Sequence, residues 1–445
     1  MSAAAGATGY ARFAERVRGE GLLSDPWLDG KPRFATQAIV LPERDWKALR
    51  STAEAMAAAH DELVRRVAGD ECLLDAYFAL GPAARALWQC AAPRWHGIAR
   101  ADVFLTETGP VLCELNSDTP SGQAEAVTLS RLFAGEPGRD PNAGLEARFC
   151  AWVAHAARGL GKGLAEATIG ILYPTELTED LGLVLLYERW LAARGARMVL
   201  GSPFNLRPAP DGRVALLGQP CDVFLRHYKT DWWTEREPVW LSDRPFPDSA
   251  PLAAALALLL GAELDGKIAI LNPFGALIAQ SKRGLALLWE ERARFSADSR
   301  AAIARYLPPS FRLETLPHER LREEREAWVL KSDYGCEGGE TIVGRAVSQV
   351  GWEATLAEAR PGRWIAQQCF APRRDADGYE ANLGVYLIAG AACGLYARCS
   401  REPTDMSALS TAVRIVGAPT HERPASRRHR TGQVPTSPAR AGDAS

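Results

Sequence analysis

The chain has 445 residues, 47% of them hydrophobic and 24% charged, with a formal net charge of −2. That balance belongs to a folded chain of two or three domains and excludes a fibrous or largely disordered protein. It provides no global positive field toward nucleic acid or anionic lipid. The longest apolar run, Pro251 to Ala262, falls short of the roughly 20 residues a membrane span needs.

The nine cysteines are scattered without a C-x-x-C pair. This points to a reducing cytoplasm rather than a disulfide framework or zinc ribbon. The stretch MSAAAGATGYARFAERVR has no apolar h-region and does not read as a signal peptide.

Residues 1–95 are expected to be helical, with Ala-rich stretches at 46–68 and 71–90. Residues 100–116 alternate between apolar and polar, with Gly109 where a turn belongs, and predict a β-hairpin. A βαβ unit is expected from about 167 to 202: ATIGILYP, a helix over TEDLGLVLLYERWLAARG, then ARMVLGSP. A further strand ends at Arg226, and an Ala/Leu helix at 251–263, the short strand KIAIL and a helix over about 280–292 come next. Strands recur as AWVLKS, ETIVG, RWIAQQ, NLGVYLIAG and CGLYARCS. The last thirty or so residues lack apolar periodicity and are expected to form a disordered tail.

The hairpin carries the chemistry. Ala101, Val103, Leu105, Val111, Cys113 and Leu115 are odd-numbered and apolar, so they predict one buried face. Folding about Thr108 sets Asp102 opposite Glu114, Arg100 opposite Asn116 and Phe104 opposite Leu112. Directly opposite residues have Cβ atoms about 4.5–5.5 Å apart, so the two carboxylates repel. A divalent cation resolves that conflict, and two carboxylates with a carboxamide oxygen suit Mg²⁺. The alternative is a polar face open to water on which Arg100 pairs with the acids.

The segment that leaves the hairpin sharpens this reading. The stretch VLCELNSDTPSGQAEA resembles the E-x-N-x-D-T-P-T signature of the glutathionylspermidine synthase family, ATP-grasp ligases with a permuted motif order. Arg100-Ala101-Asp102 looks like the family's R-x-D, and CDVFLRHYKTDWW like its R-x-Y-P-x-E-W segment. LNPFGALIAQSKRGLALLWE, WVLKSDYGCEGGETIV, RWIAQQCF and GLYARCS resemble later segments in the family's order. Ser281, Ser332, Cys336 and Lys229 depart from the family's Asn, Pro, Arg and Pro.

The resemblance implies an α+β, α/β chain: an ATP-grasp fold with a pre-ATP-grasp-like βαβ domain and a helical N-terminal region. The expected division is a helical region at 1–95, and the metal hairpin and following helices at 96–160. A substrate domain at 161–250, a nucleotide-binding region at 251–415 and a tail at 416–445 complete it. The implied activity is an ATP- and Mg²⁺-dependent carboxylate–amine ligase acting through an acyl phosphate.

Asp102, Glu114 and Asn116 would hold Mg²⁺. Lys282, Lys331, Gly335, Gly338, Gly339, Gln367 and Gln368 would bind ATP, with the lysines on phosphate and the glutamines at adenine. Arg100 and Arg398 would stabilise charge on the transferred group. The substrates would be a small carboxylate, a peptide or amino acid, and an amine such as a polyamine. Asp118, Thr119, Ser121, Glu179, Asp180, Arg226 and Tyr228 are their candidate contacts. Thr119 to Ser121 could instead cap the next helix, and Glu179 and Asp180 could simply favour a helix start. A scaffold that kept the fold without turnover, or a phosphotransferase, are the competing readings. GLGKGL at 159–164 is no Walker A loop, and His227 beside Arg226 is the histidine to watch. The sequence leaves the oligomeric state open.

Overall fold

The computed structural model describes residues 3–175, 179–235, 252–335 and 340–417. The expected tail lies outside them beyond residue 417, as does the loop at 336–339. In chain order the elements that position the site begin with β1 (Ile39–Pro42), α1 (Glu43–Ala68), β2 (Ile98–Thr106), β3 (Gly109–Asn116) and α2 (Gln123–Leu132). Then come α3 (Leu145–Gly159), β4 (Thr168–Leu172), α4 (Leu181–Ala192), β5 (Arg197–Gly201), β6 (Val223–Arg226), α5 (Ala253–Leu264), β7 (Ala269–Leu271) and α6 (Arg283–Glu290). The chain continues through β8 (Ser310–Arg312), β9 (Trp328–Ser332), β10 (Thr341–Val343), β11 (Trp364–Gln368), β12 (Glu380–Ile388), β13 (Ala391–Ser400), β14 (Leu409–Thr411) and β15 (Val413–Val416).

Three sheets dominate. An antiparallel sheet of order β14-β13-β12-β2-β3 joins the hairpin to the last long strands of the chain. A parallel sheet of order β7-β6-β4-β5 contains the predicted βαβ unit. An antiparallel sheet of order β8-β11-β9-β10 holds the strands around Lys331 and Gln367. The parallel sheet runs past residue 250, because β7 pairs with β6 in register Val223 to Ala269.

The N-terminal region is largely helical, as its Ala-rich composition predicts. From 43 to 68 the chain has no Gly or Pro, and α1 spans all of it. Glu43 and Asp45 occupy its first turn and Arg65 and Arg66 its last, complementing the helix dipole. Its buried stripe of Leu49, Ala53, Met56, Leu63, Val64 and Val67 packs on the odd-numbered face of the hairpin, Ala99, Ala101 and Val103. Three short strands in this region, Trp27–Leu28, Lys31–Pro32 and β1, were not legible. β1 pairs in parallel with β15, which joins the N-terminal region to the last described strand.

Strand β4, TIGIL, is buried throughout, as expected of a parallel strand covered on both faces. Phe149, Val153, Leu186 and Trp190 of α3 and α4 cover one side, and Leu256 and Leu259 of α5 belong to the core of the other. The C-terminal ends of β6 and β7 therefore deliver Arg226, His227 and Asn272 together.

Candidate functional site

The two carboxylates meet as the alternation predicts. Asp102 lies opposite Glu114 and Arg100 opposite Asn116. One step nearer the tip the register changes, and Phe104 faces Val111 instead of Leu112. The loop closes between Thr106 and Gly109, half a residue away from a centre at Thr108, and a bulge at Cys113 restores the register at the metal end. Gly109 adopts φ +126°, a value that side chains disfavour.

The bulge also corrects the expected face. Leu112, not Val111, enters the core, and Cys113 leaves it to place its Sγ 3.2 Å from Lys331 Nζ. The polar face is covered as well: Arg100 and Asp102 are 8% and 1% exposed. Arg100 does pair with an acid, but away from water.

Its Nε donates to Asp102 Oδ1 at 2.6 Å and its Nη2 to Oδ2 at 3.0 Å. Nη1 donates to the Ser121 carbonyl at 2.9 Å. Gly384, opposite Asp102 on β12, makes this geometry fit, because a Cβ there would lie 2.6 Å from Arg100 Cδ. Arg398, on β13, reaches Asp102 Oδ2 at 3.9 Å. Asn116 Nδ2 donates to Glu114 Oε1 at 3.2 Å and Asp102 Oδ2 at 3.4 Å.

Both lysines close on the hairpin from other elements. Lys282 Nζ lies 3.4 Å from Glu114 Oε2 and donates to the Gly335 carbonyl at 2.6 Å. Lys331 Nζ donates to the Cys113 carbonyl at 3.0 Å and to Gln367 Oε1 at 2.8 Å. Gln367 in turn donates to Ser310 Oγ. Burial alone would raise the pKa of Glu114, but Lys282 and Lys331, with the Asn116 amide, hold it well below the usual carboxylate range.

Some expected residues sit apart. Gln368 is next to Gln367 on β11, so strand alternation turns it to the other face, opposite Trp328. The Gly335 N–H is committed to Ser332 Oγ at 3.0 Å, and Ser332 also bonds Glu340. Gly338 and Gly339 lie outside the described residues.

A second constellation holds Asp118, Arg226 and Tyr228. Arg226 Nη2 bonds Asp118 Oδ1, while the Thr230 N–H and hydroxyl donate to the same carboxylate at 2.6 and 2.7 Å. Arg226 also donates to the carbonyls of Tyr228 and Asn272. Tyr228 is fully buried against Trp232 and Trp233.

Thr119, Arg226 and His227 line a small cavity with Phe149, Trp152 and Tyr187. His227 Nε2 lies 3.0 Å from Asp180 Oδ2, and Glu179 is exposed beside it. Asp180 stands at the cap position of α4 without capping it, and neither Thr119 nor Ser121 caps α2, whose N-cap is Gly122.

Three contributors carried no local signal. Gln280 accepts from the Ser117 and Asp118 N–H groups and lies 3.4 Å from Asn116 Oδ1. Asn272 joins the backbones of Ile98, Ser117 and Asp118. Cys113 reached the site only through the bulge.

The donor set suits a hard divalent cation. Among the described residues no three His, Cys, Asp or Glu side chains form a metal cluster. The available set is two carboxylates and one carboxamide, of the kind Mg²⁺ supplements with water and phosphate. Four cations, Arg100, Lys282, Lys331 and Arg398, outnumber these two carboxylates, which suits a polyanionic ligand.

Comparisons with known proteins bear on the family and the fold. Residues 249–411 match the family model described as glutathionylspermidine synthase preATP-grasp. The match includes Lys282, Lys331, Gln367 and Arg398 but not the hairpin. A glutathione synthetase-like effector from Globodera pallida, in its apo form, superposes with a TM-score of 0.57 at 12% identity, covering 91% of this chain and 95% of that one. A candidate γ-glutamylcysteine synthetase from Methylobacillus flagellatus gives a TM-score of 0.44 at 14% identity, covering 78% and 84%. No curated protein matches the sequence. The mixed α+β architecture, with its partly parallel sheets and helical N-terminal region, is ATP-grasp-like. Residues 249–411 are thus similar to the glutathionylspermidine synthase preATP-grasp family, on a fold that is ATP-grasp-like.

Proposed function

We propose that the protein is an ATP- and Mg²⁺-dependent ligase that joins a small carboxylate to an amine. The observation that carries this reading is the convergence of Asp102, Glu114 and Asn116 with Lys282, Lys331, Arg100 and Arg398 on one part of the hairpin. ATP, when bound, supplies the phosphoryl group that activates the carboxylate as an acyl phosphate.

The chain's own residues supply position and charge, which is most of what phosphoryl transfer requires. Asp102 and Glu114, with the Asn116 carboxamide, would hold Mg²⁺. Lys282 and Lys331, from separate elements, would hold phosphate oxygens between the hairpin and β9. Gln367 orients the Lys331 ammonium and would stand near the base. Arg100 and Arg398 flank Asp102 and would face negative charge developing on the reacting carboxylate. Thr119, Asp180 and His227, at the end of the parallel sheet, would contact the amine, for which a polyamine is the candidate class.

Among the described residues no helix is long and apolar enough to cross a membrane, and the eight described cysteines are free. We place the protein in the cytoplasm on the strength of those thiols.

The test is ADP release with Mg²⁺-ATP on thiol peptides and amino acids crossed with polyamines. A product lighter by one water than its two substrates, seen by mass spectrometry, is the expected outcome. ADP release without condensation from every pair would favour a phosphotransferase. Binding of ATP with no ADP from any pair would favour a scaffold.

A further inference from the structure

Glu125 is a largely but not fully buried carboxylate that neither the metal set nor the nucleotide set uses. It stands in the first turn of α2, just after the segment that touches both halves of the site. Upstream, the Ser121 carbonyl accepts from Arg100 Nη1 and from the Tyr386 hydroxyl. Alongside, Ala124 packs on Gly182, two residues after Asp180, where an added Cβ would lie 3.5 Å from Ala124 Cβ. Glu125 follows this segment, and Arg100 of one pair and Asp180 of the other both act on its charge.

Its charge is poorly met for such a place. The ion pair it makes is with Arg33 Nη2 at 3.5 Å, longer than a good charge-assisted hydrogen bond, and its side chain is only 14% exposed. The charged and titratable groups that face it are Arg33 from the N-terminal segment, Asp180 before α4, Arg100 from β2, and Tyr386 and Tyr396 from β12 and β13. An acid in the first turn of a helix is ordinarily held low by the dipole. Here burial pushes the pKa up, against its own backbone N–H and Arg33, and Asp180 adds to the rise. A carboxylate raised toward neutrality is a better base, and an incompletely paired one is free to receive a proton.

On the ligase reading of this site, we infer that Glu125 is the proton acceptor for the attacking amine. As the C–N bond forms and the C–O bond to phosphate breaks, the electron pair leaves on phosphate. The proton shed by nitrogen passes to the Glu125 carboxylate and then to solvent.

The experiment compares wild type and Glu125→Gln with Mg²⁺-ATP and the carboxylate panel, using either polyamines or hydroxylamine as the nucleophile. Hydroxylamine is largely uncharged at neutral pH and needs little base assistance. Glu125→Gln should keep hydroxamate formation near the wild-type rate and lose amide formation by about 100-fold or more, within the usual reach of a general base. The acid limb of the rate profile, where Glu125 would take up its proton and cease to act as a base, should also vanish, with no fall in melting temperature at pH 7. Amide formation at the wild-type rate and pH profile would overturn the assignment. Joint loss of both products with a lowered melting temperature would overturn it too, making Glu125 a structural partner of Arg33. Wild-type enzyme that yields neither product from any pair would instead refute the ligase reading, and this inference with it.

Discussion

Asp102 and Asp118 are both buried aspartates paired with an arginine, and the two pairs are completed differently. Asp118 receives Arg226, the Thr230 N–H and the Thr230 hydroxyl, while Arg226 spends its other donors on backbone carbonyls. Asp102 receives a good bidentate contact from Arg100, but its outer partners, Asn116 and Arg398, stand at 3.4 and 3.9 Å. The aspartates are equally buried, at 2% for Asp102 and 3% for Asp118, but the groups around Asp102 are more open: Glu114 and Arg398 keep 23% and 19%. A carboxylate whose hydrogen-bonding capacity is used up holds the fold together. One with long contacts and neighbouring cations has capacity left for a ligand.

The comparison breaks most visibly at Arg226. Arg226→Ala leaves Asp118 charged, buried and short of its main partner, which should cost about 3–5 kcal/mol. Chemical denaturation should show that loss; a fold of wild-type stability would move the Asp118 pair from joint to site.

At the open constellation the effect should fall on turnover. Asp102→Ala would strand Arg100, so Asp102→Asn and Glu114→Gln are the cleaner changes. Each should reduce Mg²⁺-dependent ADP formation by about 10²–10³-fold, the range typical of a lost electrostatic group, with the fold retained. Wild-type rates in both would remove the metal from the hairpin. Lys331→Met should weaken ATP binding by about 2 kcal/mol, roughly 30-fold, as for one hydrogen bond to a charged group. Calorimetry that finds unchanged nucleotide affinity would take Lys331 off the phosphate.

Acid separates the constellations again. Burial would raise the pKa of Asp118, but Arg226 and Thr230 bring it below its ordinary value. Its stabilisation is therefore complete above the unfolded value, about 3.9, and is lost as pH falls through the lower folded value. Asp118→Asn should be less stable at neutral pH and show a flatter acid limb in stability measured against pH. The smallest change is at the hairpin tip. Gly109→Ala meets no neighbouring atom, so only the backbone at φ +126° resists it, at about 1 kcal/mol. A thermal midpoint shift much larger than a few degrees would mean the tip does more than turn the chain.

Much of this was legible in the chain. Strict alternation at 100–116 placed Asp102 against Glu114, because a strand's period of two needs only local sequence. The βαβ unit and the strand of Lys331 were readable from apolar runs bounded by turn residues. Resemblance then ordered the scattered segments, and Lys282, Lys331 and Gln367 do converge on the hairpin.

Tertiary structure decided the rest. The bulge that sends Cys113 to Lys331 separates the register at Asp102 and Glu114 from that of the two-residue loop. Nothing within 98–116 announces it. Asp118 reads from sequence as a substrate contact, yet its partners come from more than a hundred residues away. The pairing of β1 with β15 joins segments of four residues each, too short to signal alone. Local spacing determines which face a side chain takes, because dihedral preferences act over a few bonds. Which charges remain available to a ligand depends on the donors that distant segments bring, and only the folded chain settles that.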